Sequence, residues 1–339
     1  MNSSKKIQWE IPTISHEYKI AVHGQSNGRA AWHLAIRIIL HLLVFGLLVI
    51  TFLEGVYFLF GMLVLINGVL ISFLGWAGAG HEYFHGTAFK NKKINRILFR
   101  VFSTLTWNNW GWFEVSHQLH HKYTMHTLDP EAPDRRGKGI TPFRLFWLIT
   151  IDVPFLLRRG RILLLNIFGI VPGMSVELRD FFRAKPQFIS KVRLGASSVW
   201  LYQLLTVCLL WQFIPLLAIL NALSPFTFTF INKIVEINQH LRMKYHAQDF
   251  RQNSRTIRFS RVLEFLYSNM NFHSEHHMFP GVPYYRLPSL NAYLVAHGIV
   301  EKPEKGFVAA TKIAMTSKVE IDSPKDCLSC FAKCPISID

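Results

Sequence analysis

Two long stretches that carry almost no charge most constrain what this chain can fold into. Between Ile38 and Gly80 the only formally charged residue is Glu54, and between Leu194 and Asn232 there is none. A helix of roughly 20 apolar residues crosses the hydrocarbon core of a bilayer, so each stretch has room for two spans joined by a tight turn. We therefore predict an all-α integral membrane protein with four transmembrane helices in two hairpins.

The basic residues predict the orientation of these helices. The turns expected at Glu54-Gly55 and between Asn221 and Pro225 contain no Lys or Arg. Because Lys and Arg mark the cytoplasmic side of a membrane protein, both termini and the segments that follow each hairpin are predicted to be cytoplasmic. The first apolar run continues directly into a second one, which is unlike a cleaved signal peptide. The sequence thus predicts a multi-pass protein, and no exported form.

The predicted limits follow the apolar runs. They are a cytoplasmic N-terminal arm at 1–33, a membrane domain at 34–300 and a polar, cysteine-containing tail at 301–339. Inside the membrane domain, spans at about 34–53, 56–78, 194–213 and 215–234 alternate with cytoplasmic segments at 79–193 and 235–300. These two segments are expected to form a helical cap. Lys and Arg outnumber Asp and Glu by 37 to 21, but with half of the chain hydrophobic this excess fits a membrane protein and predicts no nucleic-acid partner.

Histidine is the residue type that indicates chemistry. Nine of the 16 histidines fall in four places on the predicted cytoplasmic side: His81 and His85; His117, His120 and His121; His240; and His273, His276 and His277. Spacings of three and four residues put side chains on one face of a helix, so each cluster can direct its imidazoles to one point. The form His-x-x-His-His occurs twice, which is improbable by chance. The lone histidines are read as interfacial residues: His16, His23, His33, His41 and His297.

The number and type of these side chains narrow the metal. Neutral imidazole suits iron, copper, nickel and zinc. Nine imidazoles exceed the four ligands of one zinc site and match two five- or six-coordinate ions. Calcium and magnesium require oxygen ligands, and the nearby carboxylates do not form a shared oxygen cage: Glu82, Glu114, Asp129, Glu131 and Glu275. Two ions of iron or zinc remain.

Other residues near the clusters are assigned supporting roles. His126 and His246 are candidates for partners that fix the tautomer of a ligand. Asp129 and Glu131 are interpreted either as residues that orient ligands or as part of a solvated loop.

The three histidine boxes resemble those of the membrane fatty acid desaturase family. The boxes are His81-Glu-Tyr-Phe-His85, His117-Gln-Leu-His120-His121 and His273-Ser-Glu-His276-His277, and the continuation to Pro288 is similar to bacterial and plastid-type members. The resemblance covers roughly residues 30 to 297. It implies two iron ions on the eight box histidines, with His240 as a ninth ligand. In some members an Asn one turn before that histidine holds a water, whereas here Glu236 has that spacing and Asn238 lies two residues off.

The resemblance also implies a reaction. The expected activity is an O2-dependent, di-iron desaturation of an acyl chain, carried as a fatty acid, an acyl-lipid or an acyl-carrier thioester. The sequence contains no His-Pro-Gly-Gly signature of cytochrome b5, so electrons are expected from a separate ferredoxin or cytochrome b5 type protein. By the same analogy the setting is a bacterial inner membrane. Chain length and the position of the oxidised carbon are left open.

Two groups of alternatives remain at this stage. A hydroxylase, ketolase, acetylenase or oxidative decarboxylase can share the same fold, and a membrane zinc hydrolase is a more distant possibility. A metal carrier is disfavoured because transporters place polar groups along their spans.

Three further features have no settled role. Arg135, Arg136 and Lys138, or Arg158 to Arg161, are interpreted as sites for an acidic head group or for anionic lipid. Trp107, Trp110, Trp112 and Phe113 either contact the acyl chain or form an interfacial belt. Cys327, Cys330 and Cys334 match the last three cysteines of a ferredoxin-type run, with exposed thiols as the alternative.

Overall fold

The computed structural model describes residues 7–126, 128–132, 140–174 and 176–315 of the chain. Several residues with predicted roles lie outside this range, namely Arg135, Arg136, Lys138, Cys327, Cys330 and Cys334. The hypotheses on a head-group site at 135–138 and on an iron-sulfur cluster therefore stay predictions.

The described chain is mostly helical, as predicted. Its first part forms α1 (His16–His23), α2 (Asn27–Leu53) and α3 (Tyr57–Ser72). The central segment forms α4 (Ala79–His85), α5 (Lys92–Leu105), α6 (Trp110–Tyr123), α7 (Pro142–Ile149), α8 (Val153–Ile167) and α9 (Val176–Ala184). The second apolar stretch forms α10 (Gln187–Trp211) and α11 (Pro215–Leu223), followed by a 3-10 turn (Ser224–Phe226) and α12 (Phe230–Ile237). The last part forms α13 (Phe250–Asn253), β1 (Ile257–Arg258), α14 (Arg261–Leu266), α15 (His273–Met278), a 3-10 turn (Tyr284–Arg286), α16 (Leu287–Ala296), β2 (Glu304–Lys305) and α17 (Phe307–Met315).

The first apolar stretch forms a helical hairpin of α2 and α3. The side chain of Ser26 caps α2 by accepting a hydrogen bond from the backbone N–H of Arg29, so the helix begins before the predicted span. Helix α3 ends at Ser72, earlier than the predicted limit at 78, because the next residues are rich in glycine, a weak helix former. Leu48 and Leu63 lie in the buried contact between the two helices.

The outer faces of these helices are apolar and exposed. Leu42 of α2, Phe58 of α3 and Leu209 of α10 expose 66%, 85% and 60% of their surface. Apolar faces of this extent are unfavourable in water and indicate a lipid surrounding. Helices α2 and α10 are long and apolar enough to cross a membrane, whereas α3 and the stretch from Pro215 to Phe226 are shorter apolar helices.

The predicted fourth span at 215–234 is not one continuous helix. After α11 the chain tightens into the 3-10 turn that contains Pro225, which lacks a backbone N–H. The helix is then interrupted at 227–229, where Phe228 has a positive φ of 49°. The chain instead contacts the segment before α8: the N–H of Phe228 donates to the carbonyl of Thr150, and the N–H of Asp152 donates to the carbonyl of Phe226, both at 2.7 Å. The predicted span at 215–234 is therefore two helices, α11 and α12, with a non-helical segment between them.

The C-terminal boundary of the folded body lies later than the predicted position at 301. Strand β2 pairs in parallel with β1, and α17 packs against α12. Ala310 and Ala314 of α17 are fully buried, because their small side chains allow a close approach to Ile234. This helix is a short apolar segment in a tail that is polar as a whole, so the average composition of the tail concealed it.

The cap is held together by one aromatic core that also supports the histidine boxes. Tyr83 of α4, Phe99 of α5, Phe113 of α6, Phe272 beside α15 and Leu287 of α16 are all buried in it. Helix α6 lies directly against α10: a Cβ at Gly111 would be 2.0 Å from the carbonyl oxygen of Lys191. Glycine is therefore required at this crossing, which fixes the second box relative to a long apolar helix.

A second close approach predicts a stability effect. A Cβ at Gly68 of α3 would lie 2.2 Å from the backbone carbonyl oxygen of Thr227, whereas a Cβ at Gly61 of the same helix would meet nothing within 4 Å. We expect Gly68→Ala to lower the stability by about 1–3 kcal/mol, because the backbone of the interruption must move. Gly61→Ala is the matched control and should be neutral or slightly stabilising. Equal melting temperatures of the two purified variants in detergent would contradict the close approach.

Candidate metal centre

The first histidine pair lies on α4, immediately after α3. The backbone turns sharply there, with the N–H of Ala79 donating to the carbonyl of Phe73 at 3.0 Å. His81 and His85 are four residues apart on α4, so their rings lie on one face, with centroids 4.9 Å apart.

The second and third boxes each divide their histidines between two points. On α6, His117 and His121 belong to one group and His120 to the other. On α15 the assignment is reversed, because His273 and His277 join the group of His120, whereas His276 joins that of His117. In both boxes the residues one turn apart share a group and the middle histidine, offset around the helix, reaches across. The repeated form His-x-x-His-His thus supplies both points from each helix.

The nine predicted histidines therefore come together in two adjacent groups. The five-histidine group consists of His81, His85, His117, His121 and His276, and the four-histidine group of His120, His240, His273 and His277. Within each group one ring nitrogen per residue lies within 4.8 Å of all the others. All nine are buried except His85 and His121, which are partly exposed.

The spacing of the Nε2 atoms matches the ligand spacing of a metal ion. In the five-histidine group, the Nε2 atom of His117 is 3.1 Å from that of His85 and 3.0 Å from that of His121. In the four-histidine group, the Nε2 atom of His273 is 2.8 Å from that of His240 and 3.0 Å from that of His277. Nitrogens bonded to one ion at about 2.1 Å and at right angles are about 3.0 Å apart. The groups have the dimensions of two such sites.

Hydrogen bonds at the opposite ring nitrogens orient four of these imidazoles. The Nδ1–H groups of His117 and His120 donate to Glu131 (3.0 Å) and Asp129 (2.9 Å). His81 donates to Glu82 at 3.1 Å, and His240 donates to a backbone carbonyl, that of Asn253, at 2.7 Å. In each case the neutral ring keeps its Nε2 lone pair and directs it toward the group.

The rings protonated at Nδ1 indicate that a metal ion fits between the histidines. Each group has two imidazoles whose Nε2 atoms carry lone pairs because their protons are held at Nδ1. Within each group the ring nitrogens lie within 4.8 Å of one another. Lone pairs this close inside a protein repel one another and have no hydrogen-bond donor, and a bound cation removes the repulsion and satisfies the lone pairs. Soft or borderline nitrogen donors without a carboxylate cage suit iron or zinc. The residues present therefore fit two transition-metal ions.

Burial keeps most of these rings neutral. It lowers the pKa well below the usual value for His81, His85, His117, His121, His273, His276 and His277, and the neighbouring histidines lower it further. The pKa of His240 falls to about 3 for the same first reason. For His120 burial acts downward, but the charge and hydrogen bond of Asp129 outweigh it and the pKa is raised. Neutral imidazole is the metal-binding form, so the rings with a lowered pKa are ready to bind at neutral pH.

Other residues named from the sequence lie outside the groups. The rings of His126 and His246 pack against each other at 5.2 Å, and neither belongs to the metal-sized groups. Glu236 pairs with Lys233 at 3.0 Å and belongs to neither histidine group. The side-chain N–H groups of Asn238 donate to the carbonyls of Ile234 and Ala310, which connects α12 with α17.

Sequence reasoning missed several contacts of the histidines. Glu82 was noted only as a nearby carboxylate, yet it is buried next to His81 and lies 3.9 Å from Nδ1 of His276. Thr124 lies 3.3 Å from Nδ1 of His277. The position of Glu82 directly after a box histidine was the available signal. The contact of Thr124 depends on two helices meeting and left no signal in the sequence.

Asp129 should contribute strongly to metal affinity. It accepts hydrogen bonds from His120 and from the backbone N–H groups of Met125 and Glu131. In Asp129→Asn one acceptor becomes an NH2 group that faces these donors. We expect metal affinity to fall about 10–100-fold, measured by competition with a chelator. Asp180→Asn, at an exposed position of α9, is the matched control, and equal affinities of the two variants would rule out this role of Asp129.

Two buried groups of oriented imidazoles define a candidate dinuclear metal centre in a largely helical chain with apolar outer faces. The chain belongs to the fatty acid desaturase family: the sequence model described as "Fatty acid desaturase" matches residues 55–302, which include all nine histidines. This confirms the resemblance seen in the boxes. Membership indicates an oxidoreductase of lipid metabolism and a membrane setting. No curated protein matches the chain at a significant level.

Proposed function

We propose that this protein is a di-iron desaturase that uses O2 to introduce a double bond into an acyl chain. One observation carries the proposal: in a chain of the fatty acid desaturase family, nine histidines form two adjacent groups with the nitrogen spacing of metal ligands. The five-histidine group would bind one iron and the four-histidine group the other. The smaller group leaves more positions for a further ligand.

The proposed reaction balances with an external source of electrons. A pair of neighbouring CH2 groups, O2, two electrons and two protons give a CH=CH group and two molecules of water. Two bound iron ions would supply the activation of O2, which side chains alone do not provide. The residues of the chain orient the imidazoles, keep them neutral and enclose them in an aromatic core, which limits the access of water to the reacting carbon.

The membrane arrangement is part of the same proposal. Helices α2, α3 and α10 and the interrupted stretch from α11 to α12 are proposed as four membrane segments in two hairpins. The excess of Lys and Arg supports a cytoplasmic position for both termini and for the metal centre. A bacterial inner membrane and a separate ferredoxin or cytochrome b5 type donor complete the proposed setting. The domain limits at 1–33 and 34–300 also stay predictions.

Expression in a bacterium that lacks desaturases tests the function whichever carrier holds the acyl substrate. All acyl chains are released as methyl esters and analysed by mass spectrometry. We expect products two mass units lighter than the saturated chains, formed only with O2 and absent with His276→Ala. Products 16 mass units heavier would instead assign a hydroxylase.

A hydrolytic alternative is tested with the purified protein. Cleavage of an ester or amide that persists without O2 and without reductant, with zinc bound in place of iron, would contradict the proposal and support a zinc hydrolase.

A further inference from the structure

A cleft lies at the point where two apolar helices end. It is bounded by Ser72 at the end of α3 and by Pro225 and Thr229 after α11. Its other walls come from the turn between α3 and α4, from the end of α5, and from α7, α8 and α12. If α3 and α11 lie in the membrane, the cleft is at the membrane surface, where the polar head of an amphiphile is located.

The two carboxylates in the cleft already have partners. Asp152 accepts hydrogen bonds from both terminal guanidinium nitrogens of Arg144 and from the backbone N–H of Phe155. Glu236 pairs with Lys233 at 3.0 Å.

Two further cationic residues line the cleft, Arg158 and Arg159. Among the described residues, neither of them has a carboxylate within ion-pair distance. The cleft therefore has an excess of positive charge that its own acidic residues do not compensate.

Arg159 is held in place by aromatic rings. Its guanidinium carbon lies 5.2 Å from the ring centre of Trp76 and 5.1 Å from that of Phe155. These contacts fix the direction of the side chain and leave its N–H groups for a planar anion. Burial, and then the charge of Arg158, lower the pKa of Arg159 to about 10 against a smaller opposing effect of the Glu236 carboxylate, so the group is still charged at pH 7. A cation that is partly removed from water is stabilised by a counter-anion.

Trp76 adds an unpaired donor to the same cleft. Its indole N–H is buried and has no hydrogen-bond partner among the described residues. A buried N–H without an acceptor is unfavourable, and an anionic oxygen satisfies it. Arg159 and Trp76 thus both offer N–H donors for an anionic oxygen in the cleft.

The cleft is connected to the five-histidine group through stacked rings. Trp76 stacks on Phe113 with centroids 4.6 Å apart, and Phe113 stacks on His117 at 4.6 Å. Only these two ring contacts separate the charged cleft from a proposed iron ligand. A head group bound at Arg159 would therefore have its acyl chain begin close to the metal centre.

We propose that this cleft binds the anionic head of the acyl substrate, a carboxylate or a phosphate, through Arg159, assisted by Arg158 and the Trp76 indole N–H. The inference rests on the proposed function and narrows its substrate class. A fatty acid or a phosphate-bearing acyl thioester is accepted, whereas an acyl chain on a neutral head is not. Arg161, on the same helix, is exposed and does not line the cleft, so the run of basic residues is divided by function.

Equilibrium binding of three radiolabelled probes to the detergent-purified, iron-loaded protein tests this proposal. The probes are palmitate, palmitoyl-coenzyme A and methyl palmitate. We expect at least one anionic probe to bind tenfold or more tightly than methyl palmitate. Preference for palmitate identifies the carboxylate as the head, and preference for palmitoyl-coenzyme A alone identifies the phosphate.

Single substitutions then show which residues cause the preference for an anionic probe. Arg159→Gln should weaken the preferred anion at least tenfold and leave methyl palmitate within twofold. Arg161→Gln is the matched control and should behave as the parent. Arg158→Gln should show a smaller loss in the same direction, and it serves as the decisive variant if Arg159→Gln fails to retain iron. Arg159→Lys keeps the charge and should keep part of the preference.

Three results would overturn the proposal: equal binding of all three probes by the parent, an unchanged preference in Arg159→Gln and Arg158→Gln, or an equal loss in Arg161→Gln. The last result would show a general effect of surface charge. Because the measurement is of binding, it separates the two proposals. An unsaturated product without the anion preference refutes only the head-group site, and the preference without an oxidised product refutes only the desaturase.

Discussion

Replacing His120 by alanine should reduce the iron content from about two ions per chain to one or fewer and abolish the oxidised product. His120 is one of only four imidazoles in its group, and its Nε2 atom lies 3.2 Å from that of His277. Partners that merely orient a ligand typically contribute 10–100-fold, so loss of the ligand itself should lower product formation by more than about 100-fold. Iron is measured by elemental mass spectrometry and product by fatty acid analysis.

Two controls separate the loss of a ligand from other effects. His297→Ala removes an exposed histidine outside both groups and should retain iron and product. The buried carboxylate of Asp129 loses its partner in His120→Ala, which by itself destabilises the fold. The double variant His120→Ala, Asp129→Asn removes that charge, so it separates the effect of the unpaired carboxylate from the loss of the ligand, and it should not regain iron. Unchanged iron and product in His120→Ala would contradict the assignment of the four-histidine group.

Removing iron should lower the melting temperature of the protein by at least about 5 °C. Without a cation, the Nε2 lone pairs of His120 and His240, whose protons are held at Nδ1, converge within one buried group. A ligand present at 100 times its dissociation constant adds about 2.7 kcal/mol of stability, and each kcal/mol shifts the melting temperature of a large domain by about 2–4 °C. Thermal unfolding in detergent before and after chelation measures the difference.

Zinc provides the control for metal removal. It binds neutral imidazole, so it should restore the melting temperature of the chelated protein. It does not undergo redox change, so it should not restore the oxidised product. If verified removal of iron leaves the melting temperature unchanged, the histidine groups do not bind metal in the folded protein.

The histidine pattern was the part of the site best predicted from sequence. Spacings of three and four residues on a helix limit the directions of the side chains, so convergence of each box was foreseeable. The division between groups was not, because His120 and His121 are adjacent in sequence yet belong to different groups. That division depends on the relative positions of α6 and α15, which only tertiary packing determines.

Some helices were predicted from the sequence, and others were not. The long uncharged stretches of the sequence identified α2 and α10, because such runs of apolar residues are typical of a helix that crosses a bilayer. The sequence predicted the turn of the second hairpin between Asn221 and Pro225, whereas α10 ends at Trp211 and α11 begins at Pro215. The interruption at 227–229 was not predicted, since composition does not show that Phe228 contacts the backbone of Thr150. Helix α17 was missed because its contacts come from small residues such as Ala310. The cleft at Arg159 also requires the fold, as its walls come from distant parts of the chain.

Mössbauer spectroscopy of protein enriched in iron-57, combined with the iron count per chain, is the sharpest test of the di-iron centre. We expect about two irons per chain in two unequal environments, because five imidazoles would bind one ion and four the other. The spectrum should then contain two quadrupole doublets of equal area. One zinc per chain, or a single iron environment at one iron per chain, would contradict the di-iron centre.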